Sequence, residues 1–381
     1  MEELAAQALE WMVGSSCGTD FSLYSGEAGV VLALLEGQRH FGDDRYGDEA
    51  LRRAAGLAGV EGCSLYFGLT GAAVALRSVH RLLGDSPSGR AADRALSLVR
   101  SRFDGQRWGD MFELLFGNAG IALGALHAGD LELAVLAVTP YLGAADPTPG
   151  GVNWAVRPSP PRSHHLAHGT LGIVYALAAV GAAAGRGDFT ELALAGAADV
   201  VSRNEAGPGG FLVPHSDPWH RPELIERYSY GWCNGPAGDA QVFRLLASLT
   251  GDGAWSALGD RCWHTVTSSG LPRRVRPGFW DNNGRCCGTA GVLALACDRY
   301  PSARDFAGVL ADDLIARAIV DADGARWSNH EHRATPSALP PEPGWAMGNA
   351  GIVRELLRFA RLTRGSDPAY AVPWPDHPPA L

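Results

Sequence analysis

The chain has 381 residues, of which 46% are hydrophobic, so it can bury a large core as one domain or as two. Its 41 acidic residues exceed its 32 basic residues, which are all arginine; this argues against nucleic acid as the main partner, because phosphate binding needs a concentrated positive surface. The 7 irregularly spaced cysteines argue against a disulfide framework, and without a secretory signal or a long apolar run we expect a cytoplasmic protein with reduced thiols and no membrane span.

A Gly-x-x-Gly step recurs along the chain and is its main organising pattern. A short apolar run follows each step, and a more amphipathic segment with charges on one face precedes it. Runs that are apolar on most sides are typical of buried helices, whereas helices with a polar stripe face water. The seven steps begin at Gly26, Gly68, Gly117, Gly169, Gly235, Gly288 and Gly348.

This repeat predicts an all-α protein, an α/α toroid of seven inner and seven outer helices that forms a single domain over residues 1–364. The glycines then allow close backbone approach where each inner helix begins. Three turn-rich loops, at 145–161, 207–222 and 334–344, precede inner helices and are expected to surround one end of the ring. The Pro-rich tail, residues 365–381, is expected to be weakly ordered.

The two residues before each first glycine should occupy equivalent places around one rim of the ring. Apolar and aromatic residues dominate there in the first three repeats and the last, whereas polar and metal-seeking residues come from consecutive repeats: Ala167-His168, Cys233-Asn234 and Cys286-Cys287. Three thiols at the starts of two neighbouring helices favour a soft divalent metal, most simply zinc (Zn²⁺), with an open position typical of a catalytic site. The alternative is that these three cysteines are buried packing residues.

Other polar residues have two or more interpretations. His168 could transfer a proton or act as a fourth ligand, and Glu113 could orient a histidine or stabilise a helix start. His164 and His165 offer a competing metal site with His168, although the Pro-rich approach disfavours it. The segment His330-Glu331-His332-Arg333 could contact substrate or be structural. Packing is expected for the remaining cysteines, Cys17, Cys63, Cys262 and Cys297.

The stretches Trp232-Cys233-x-Gly-x-x-Gly, Cys286-x-Gly-x-x-Gly and Ala167-His168-Gly169, set on the sevenfold repeat, resemble the lanthionine synthetase C-like proteins along essentially the whole chain. The resemblance implies a zinc-dependent cyclase that adds a peptide cysteine thiol to dehydroalanine or dehydrobutyrine and so forms a thioether ring. It implies Cys233, Cys286 and Cys287 as zinc ligands and His168 as the acid/base residue. The implied partner is a precursor peptide dehydrated by a separate dehydratase or kinase/lyase enzyme.

Several positions depart from the pattern of that family. Cys287 replaces the commoner histidine ligand, Asn234 stands where bacterial cyclases tend to have tyrosine, and Ser229 stands where an arginine is frequent, with Arg227 nearby but out of register. Glu113 is more similar to the eukaryotic-type members, which resemble glutathione-adding enzymes. Two alternatives therefore stay open: addition of glutathione to dehydroamino acids, and a non-catalytic peptide-binding partner of a modifying enzyme.

Overall fold

The computed structural model describes residues 1–377, and its main elements are fifteen α-helices. Six short strands pair as three antiparallel hairpins or bridges, β1 (Asp146–Thr148) with β2 (Gly151–Asn153), β3 (Arg162–Ser163) with β4 (Ser216–Asp217), and β5 (Ile319–Asp321) with β6 (Gly324–Arg326). The helices are α1 (Glu2–Gly14), α2 (Glu27–Phe41), α3 (Asp44–Ala54), α4 (Leu69–Leu83), α5 (Ser86–Ser101), α6 (Asn118–Ala128), α7 (Leu131–Val138), α8 (Pro140–Ala144), α9 (Thr170–Ala184), α10 (Gly187–Ser202), α11 (Pro236–Thr250), α12 (Gly253–Ser268), α13 (Thr289–Asp298), α14 (Arg304–Arg317) and α15 (Asn349–Arg364).

Seven of these helices form a closed inner ring, in the order α2, α4, α6, α9, α11, α13 and α15. Each contacts its two neighbours in that order, and α15 contacts α2. The mostly apolar α9 is buried along most of its length, whereas the outer helix α5 buries a single stripe that includes Ala92, Leu96 and Val99. The predicted all-α toroid is therefore confirmed.

Two-residue connections pair five inner helices, α2, α4, α6, α9 and α11, with the outer helix that follows each. Four inner helices end at a glycine in the left-handed region, and the next residue is an aspartate whose side chain accepts a backbone N–H of the outer helix. This favours tight pairs in which the inner helix comes first. The sequence pattern instead predicts that each amphipathic outer helix precedes its inner helix. The first outer helix, α1, has no inner helix before it and packs on α15. The connections are Gly42-Asp43, Gly84-Asp85, Gly129-Asp130 and Gly251-Asp252.

The glycine steps are required by close backbone contact. A Cβ added to any of the seven second glycines would lie 1.9–2.6 Å from the carbonyl oxygen of the residue three positions before the first glycine. At Gly238, for example, the added Cβ would be 1.9 Å from the Trp232 oxygen. No side chain fits at that distance, so each loop can fold over the start of its inner helix only if glycine is present.

Backbone hydrogen bonds join the loops of successive repeats at the register predicted from the sequence. We call this set the rim belt; in five pairs of successive repeats it links the second residue before the first glycine to its counterpart in the next repeat. The bonds run from the N–H of one residue to the carbonyl of the next over 2.8–3.3 Å, in the pairs Tyr24 to Tyr66, Ala167 to Cys233, Cys233 to Cys286, Cys286 to Ala346 and Ala346 to Tyr24. The last pair connects the seventh repeat to the first and closes the ring.

The tail does not behave as predicted, because residues 365–377 pack inside the ring. We call this stretch the axial segment. Trp374 is 3% exposed, stacks on Trp345 with ring centroids 4.3 Å apart, and donates from Nε1 to Tyr66 Oη over 2.9 Å. His377 contacts Asp298 of α13, and Arg39 of α2 donates to a carbonyl of the segment. Because its partners come from several inner helices, the axial segment fills the interior of the ring; residues 378–381 lie outside the described part.

The burial of the axial segment has a physical cause in α15. Arg354 is 1% exposed and donates from Nη2 to the Val372 carbonyl over 2.6 Å, with its guanidinium within 5 Å of the Tyr370 and Trp374 ring centroids. Glu355 accepts from Tyr370 Oη over 2.7 Å. Buried charges need partners, and the axial segment supplies them.

None of the helices within residues 1–377 combines the length and the apolar composition that a membrane crossing requires.

Candidate metal centre

Three thiols converge where α11 and α13 begin. The Sγ atoms of Cys233, Cys286 and Cys287 all lie within 4.8 Å of one another, with 3.3 Å between Cys233 and Cys287 and 3.5 Å between Cys286 and Cys287. The rim belt holds them there, because the Cys233 N–H donates to the Cys286 carbonyl. All seven cysteines are free, and Cys17, Cys63, Cys262 and Cys297 lie outside this cluster.

The cluster fits zinc by its donor chemistry and spacing. Zinc–sulfur bonds of about 2.3 Å in a tetrahedron separate the sulfur atoms by about 3.8 Å, which is close to the 3.3 and 3.5 Å between Cys287 and the other two thiols. Cys233 and Cys286 are buried, whereas Cys287 is partly exposed. Three protein donors are one fewer than a closed structural zinc site has, so solvent or substrate can approach from the Cys287 side.

Two further side chains donate to the sulfur atoms. Tyr24 Oη donates to Cys286 Sγ, and Asn234 Nδ2 donates to Cys233 Sγ, each over 3.5 Å. The hydrogen-bonding contacts with the Cys233 and Cys286 thiols lower the pKa of the Cys287 thiol well below its ordinary value. The surroundings therefore favour an anionic sulfur on the accessible side of the cluster. The sequence offered no specific signal for the Tyr24 contact, which follows from closure of the ring.

His168 and Glu113 lie together in the neighbouring repeats. His168 Nδ1 is 3.4 Å from Glu113 Oε2, and the His168 side chain is 31% exposed whereas that of Glu113 is fully buried. Both Glu113 oxygens also accept backbone N–H groups, from Leu115 over 2.9 Å and from Phe116 over 2.8 Å. Glu113 thus stabilises its turn and orients His168 at once, so the two interpretations of this residue are compatible.

The carboxylate also sets the protonation of the histidine. Burial lowers the pKa of His168, but the hydrogen bond and the negative charge of Glu113 outweigh burial and raise this pKa above its ordinary value of 6.5. At any given pH near neutrality, a larger share of His168 is therefore protonated than of an unperturbed histidine.

Replacing Glu113 with glutamine is expected to bring the pKa of His168 below 6.5, because burial then acts without an opposing charge. An NMR titration of the ring protons measures this pKa directly. Glu132→Gln, which removes an exposed carboxylate from α7, is the control and should leave the value unchanged. An unaltered His168 pKa in the Glu113 variant would contradict the assignment of Glu113 as its charge partner.

Two adjoining cavities open beside these residues. The histidine cavity, about 380 Å³, is lined by His168, Phe116, Arg157 and neighbouring residues. The cysteine cavity, about 600 Å³, is lined by Cys287, Tyr230, Phe279 and neighbouring residues. They share His215, Ile225 and Asn234, and so form one groove that passes both His168 and the thiols. Loops 145–161 and 207–222 contribute to its walls, as their positions predicted.

The sequence matches the family described as "Lanthionine synthetase C-like protein" over residues 18–222 and 215–310. The chain belongs to this family. Its fold is similar to that of nisin cyclase, with a TM-score of 0.67 and 15% identity over 94% of this chain and 93% of that one. An alpha-1,6-mannanase from Salegentibacter sp. gives a TM-score of 0.50 and 13% identity over 94% of this chain and 99% of that one. At these identities the likenesses show the fold alone; no curated protein matches the sequence.

The other residues singled out in this lanthionine synthetase C-like protein lie outside the thiol cluster. His164 and His165 are buried, and His165 Nδ1 lies 2.8 Å from Asp239 Oδ2, so the competing histidine metal site does not form. Ser229 and Arg227 line the cysteine cavity, and Arg227 pairs with Glu205 over 2.6 Å.

The residues of the segment His330-Glu331-His332-Arg333 have different partners in the lanthionine synthetase C-like structure. His332 pairs with Asp281 and Glu331 pairs with Arg333, while Arg333 also lines the cysteine cavity. His215, which borders both cavities, was not predicted, because it stands in a loop without a recognisable pattern. Burial lowers the pKa of His215 to about 3, so its ring is neutral.

Proposed function

We propose that this protein is a zinc-dependent cyclase that adds a peptide cysteine thiol to dehydroalanine or dehydrobutyrine and closes a thioether ring. The observation that carries the proposal is the convergence of Cys233, Cys286 and Cys287 beside a groove that both Cys287 and His168 line. Membership of the lanthionine synthetase C-like family supports this chemistry over a packing role for the thiols.

Different residues along the groove would have different roles in the reaction. Cys233, Cys286 and Cys287 would hold zinc, which supplies a positive charge that favours the thiolate form of a substrate thiol. Cys287 is the accessible member of the three, so the reacting sulfur would enter from the cysteine cavity. Tyr24 and Asn234 stabilise the protein sulfurs by donating hydrogen bonds to them.

His168 would donate the proton that the α-carbon receives. As the substrate sulfur bonds to the β-carbon, the π electrons move toward the carbonyl oxygen, and a proton must then arrive at the α-carbon. Glu113 occupies Nδ1 of His168, which leaves Nε2 for this transfer. The raised pKa increases the protonated share of the ring, and the incoming thiol returns a proton for the next cycle.

Cavities of about 600 and 380 Å³ in one groove suit an extended peptide segment, with the thiol toward Cys287 and the alkene toward His168. Thiol addition consumes a dehydroamino acid, so a separate dehydratase or kinase/lyase enzyme must supply the peptide.

The test uses zinc-loaded protein and two dehydrated peptides, one with an internal cysteine and one with that cysteine replaced by alanine, each with and without glutathione. Ring closure leaves the mass unchanged but protects the cysteine from alkylation, and we expect this for the first peptide. Addition of the glutathione mass to the second peptide alone would favour the small-thiol alternative. Binding of both peptides without any addition would overturn the enzymatic proposal and favour a peptide-binding partner.

A further inference from the structure

The histidine cavity contains an arginine that the zinc chemistry does not use. Arg157 stands in loop 145–161 and lines the cavity together with Ser163. Its place is fixed at two points: the Phe112 N–H donates to the Val156 carbonyl over 2.9 Å, and Arg157 Nη2 donates to Ser163 Oγ over 2.7 Å. The first of these bonds ties the loop to the residue that precedes Glu113.

The guanidinium of Arg157 is half-buried and lacks a carboxylate in contact. Across residues 1–377, the ion pairs within 4 Å do not include Arg157, and its buried Nε has no hydrogen-bond partner. The charge of Glu113 acts on Arg157, but the Glu113 carboxylate already contacts His168 and accepts two backbone N–H groups. A partly desolvated cation without a counter-ion attracts an anion into the space that it faces.

The other polar residues that line this cavity do not offer a permanent positive charge. His215 is neutral, as described above, and Asn234 directs its amide nitrogen toward Cys233. The chain contains no lysine. Arg157 is therefore the one arginine among the described residues that line the cavity of His168, and its charge, unlike that of the lining histidines, does not depend on pH near neutrality.

Resting on the proposed function, we propose that Arg157 binds the carbonyl oxygen of the dehydroamino acid and stabilises the negative charge that gathers there. As the sulfur–β-carbon bond forms, the α,β π pair shifts to a carbon–carbon double bond with the carbonyl carbon, and the oxygen becomes an enolate. The enolate then collapses as His168 delivers a proton to the α-carbon. The oxygen is separated from the α-carbon by a single carbon, so an acid for one and a cation for the other belong in the same cavity.

The test compares Arg157→Gln with Arg221→Gln. Arg221 is an exposed neighbour whose charge acts on Arg157 but whose side chain does not line the histidine cavity. We expect Arg157→Gln to lower kcat by about 100- to 1,000-fold. Peptide Kd and zinc content should stay within threefold of wild type, and Arg221→Gln should retain kcat. Arg157→Lys is expected to fall between the two, because it keeps the charge without the planar fork.

Chemical rescue separates an electrostatic role from a structural one. Added guanidinium should restore part of the kcat of Arg157→Ala and should not accelerate Arg221→Ala. A kcat for Arg157→Gln within threefold of wild type, or an equal loss in both glutamine variants, would overturn the role of Arg157 alone. Absence of thiol addition by the wild-type protein would overturn the proposed function and this role with it.

Discussion

Cys233→Ala is expected to release the metal and to abolish thiol addition. The substitution leaves two adjacent sulfur donors from a single loop, and it removes the thiol that joins the α11 repeat to the α13 repeat. Zinc held by two protein ligands exchanges readily with solvent, so we expect zinc affinity to fall by more than about 100-fold, beyond what loss of an outer hydrogen-bond partner causes.

The matched control is Cys262→Ala. Cys262 is a fully buried thiol of the outer helix α12 and lies outside the cluster, so it loses the same atoms without touching the metal site. Elemental analysis after competition with a chelator gives zinc per chain, and alkylation of the product peptide reports ring closure. One equivalent of zinc in Cys233→Ala, with turnover at the level of Cys262→Ala, would show that this thiol is only a packing residue.

Trp374→Ala is expected to lower the free energy of unfolding by about 3–5 kcal/mol, the usual cost of deleting a large buried aromatic side chain. Trp374 stacks on Trp345, donates to Tyr66 Oη, and faces the Arg354 guanidinium at 4.8 Å. Its loss leaves a cavity inside the ring and removes an aromatic partner from a buried cation.

Trp219→Ala provides the comparison, because Trp219 is 39% exposed and its main polar contact is one hydrogen bond to the Ile225 carbonyl. It should cost about 1 kcal/mol or less. Denaturant unfolding followed by circular dichroism measures both values. If the two tryptophan variants unfold with equal free energies, the axial segment is not part of the folded core.

The inner ring and the cysteine cluster could be predicted because both follow from the Gly-x-x-Gly pattern, which is visible in short stretches of the sequence. Each Gly-x-x-Gly step marks a backbone contact too close for a Cβ, and so locates the start of an inner helix. Once the steps are aligned, the residues before them share one rim, which brings Cys233 and Cys286 into adjacent repeats.

The axial segment was missed for a physical reason. Its prolines indicate weak order, but its position is decided by buried charged residues of α15, the helix that directly precedes it. The signal was present in a different place: Arg354, Glu355 and Arg358 interrupt a run that the repeat assigns to a buried inner helix. Buried charges require partners, and the aromatic and acidic residues of the tail were the candidates.

The rim belt also limits the number of repeats that such a ring can contain. An open solenoid gains or loses units at its ends, because each unit contacts only its neighbours. Here the Ala346 N–H returns to the Tyr24 carbonyl, so an eighth unit would widen the circumference and strain the five hydrogen bonds of the belt. The number of repeats is therefore fixed by geometry. The lengths of the loops at the mouth of the ring, and the junction at which the chain begins and ends, can differ without breaking it.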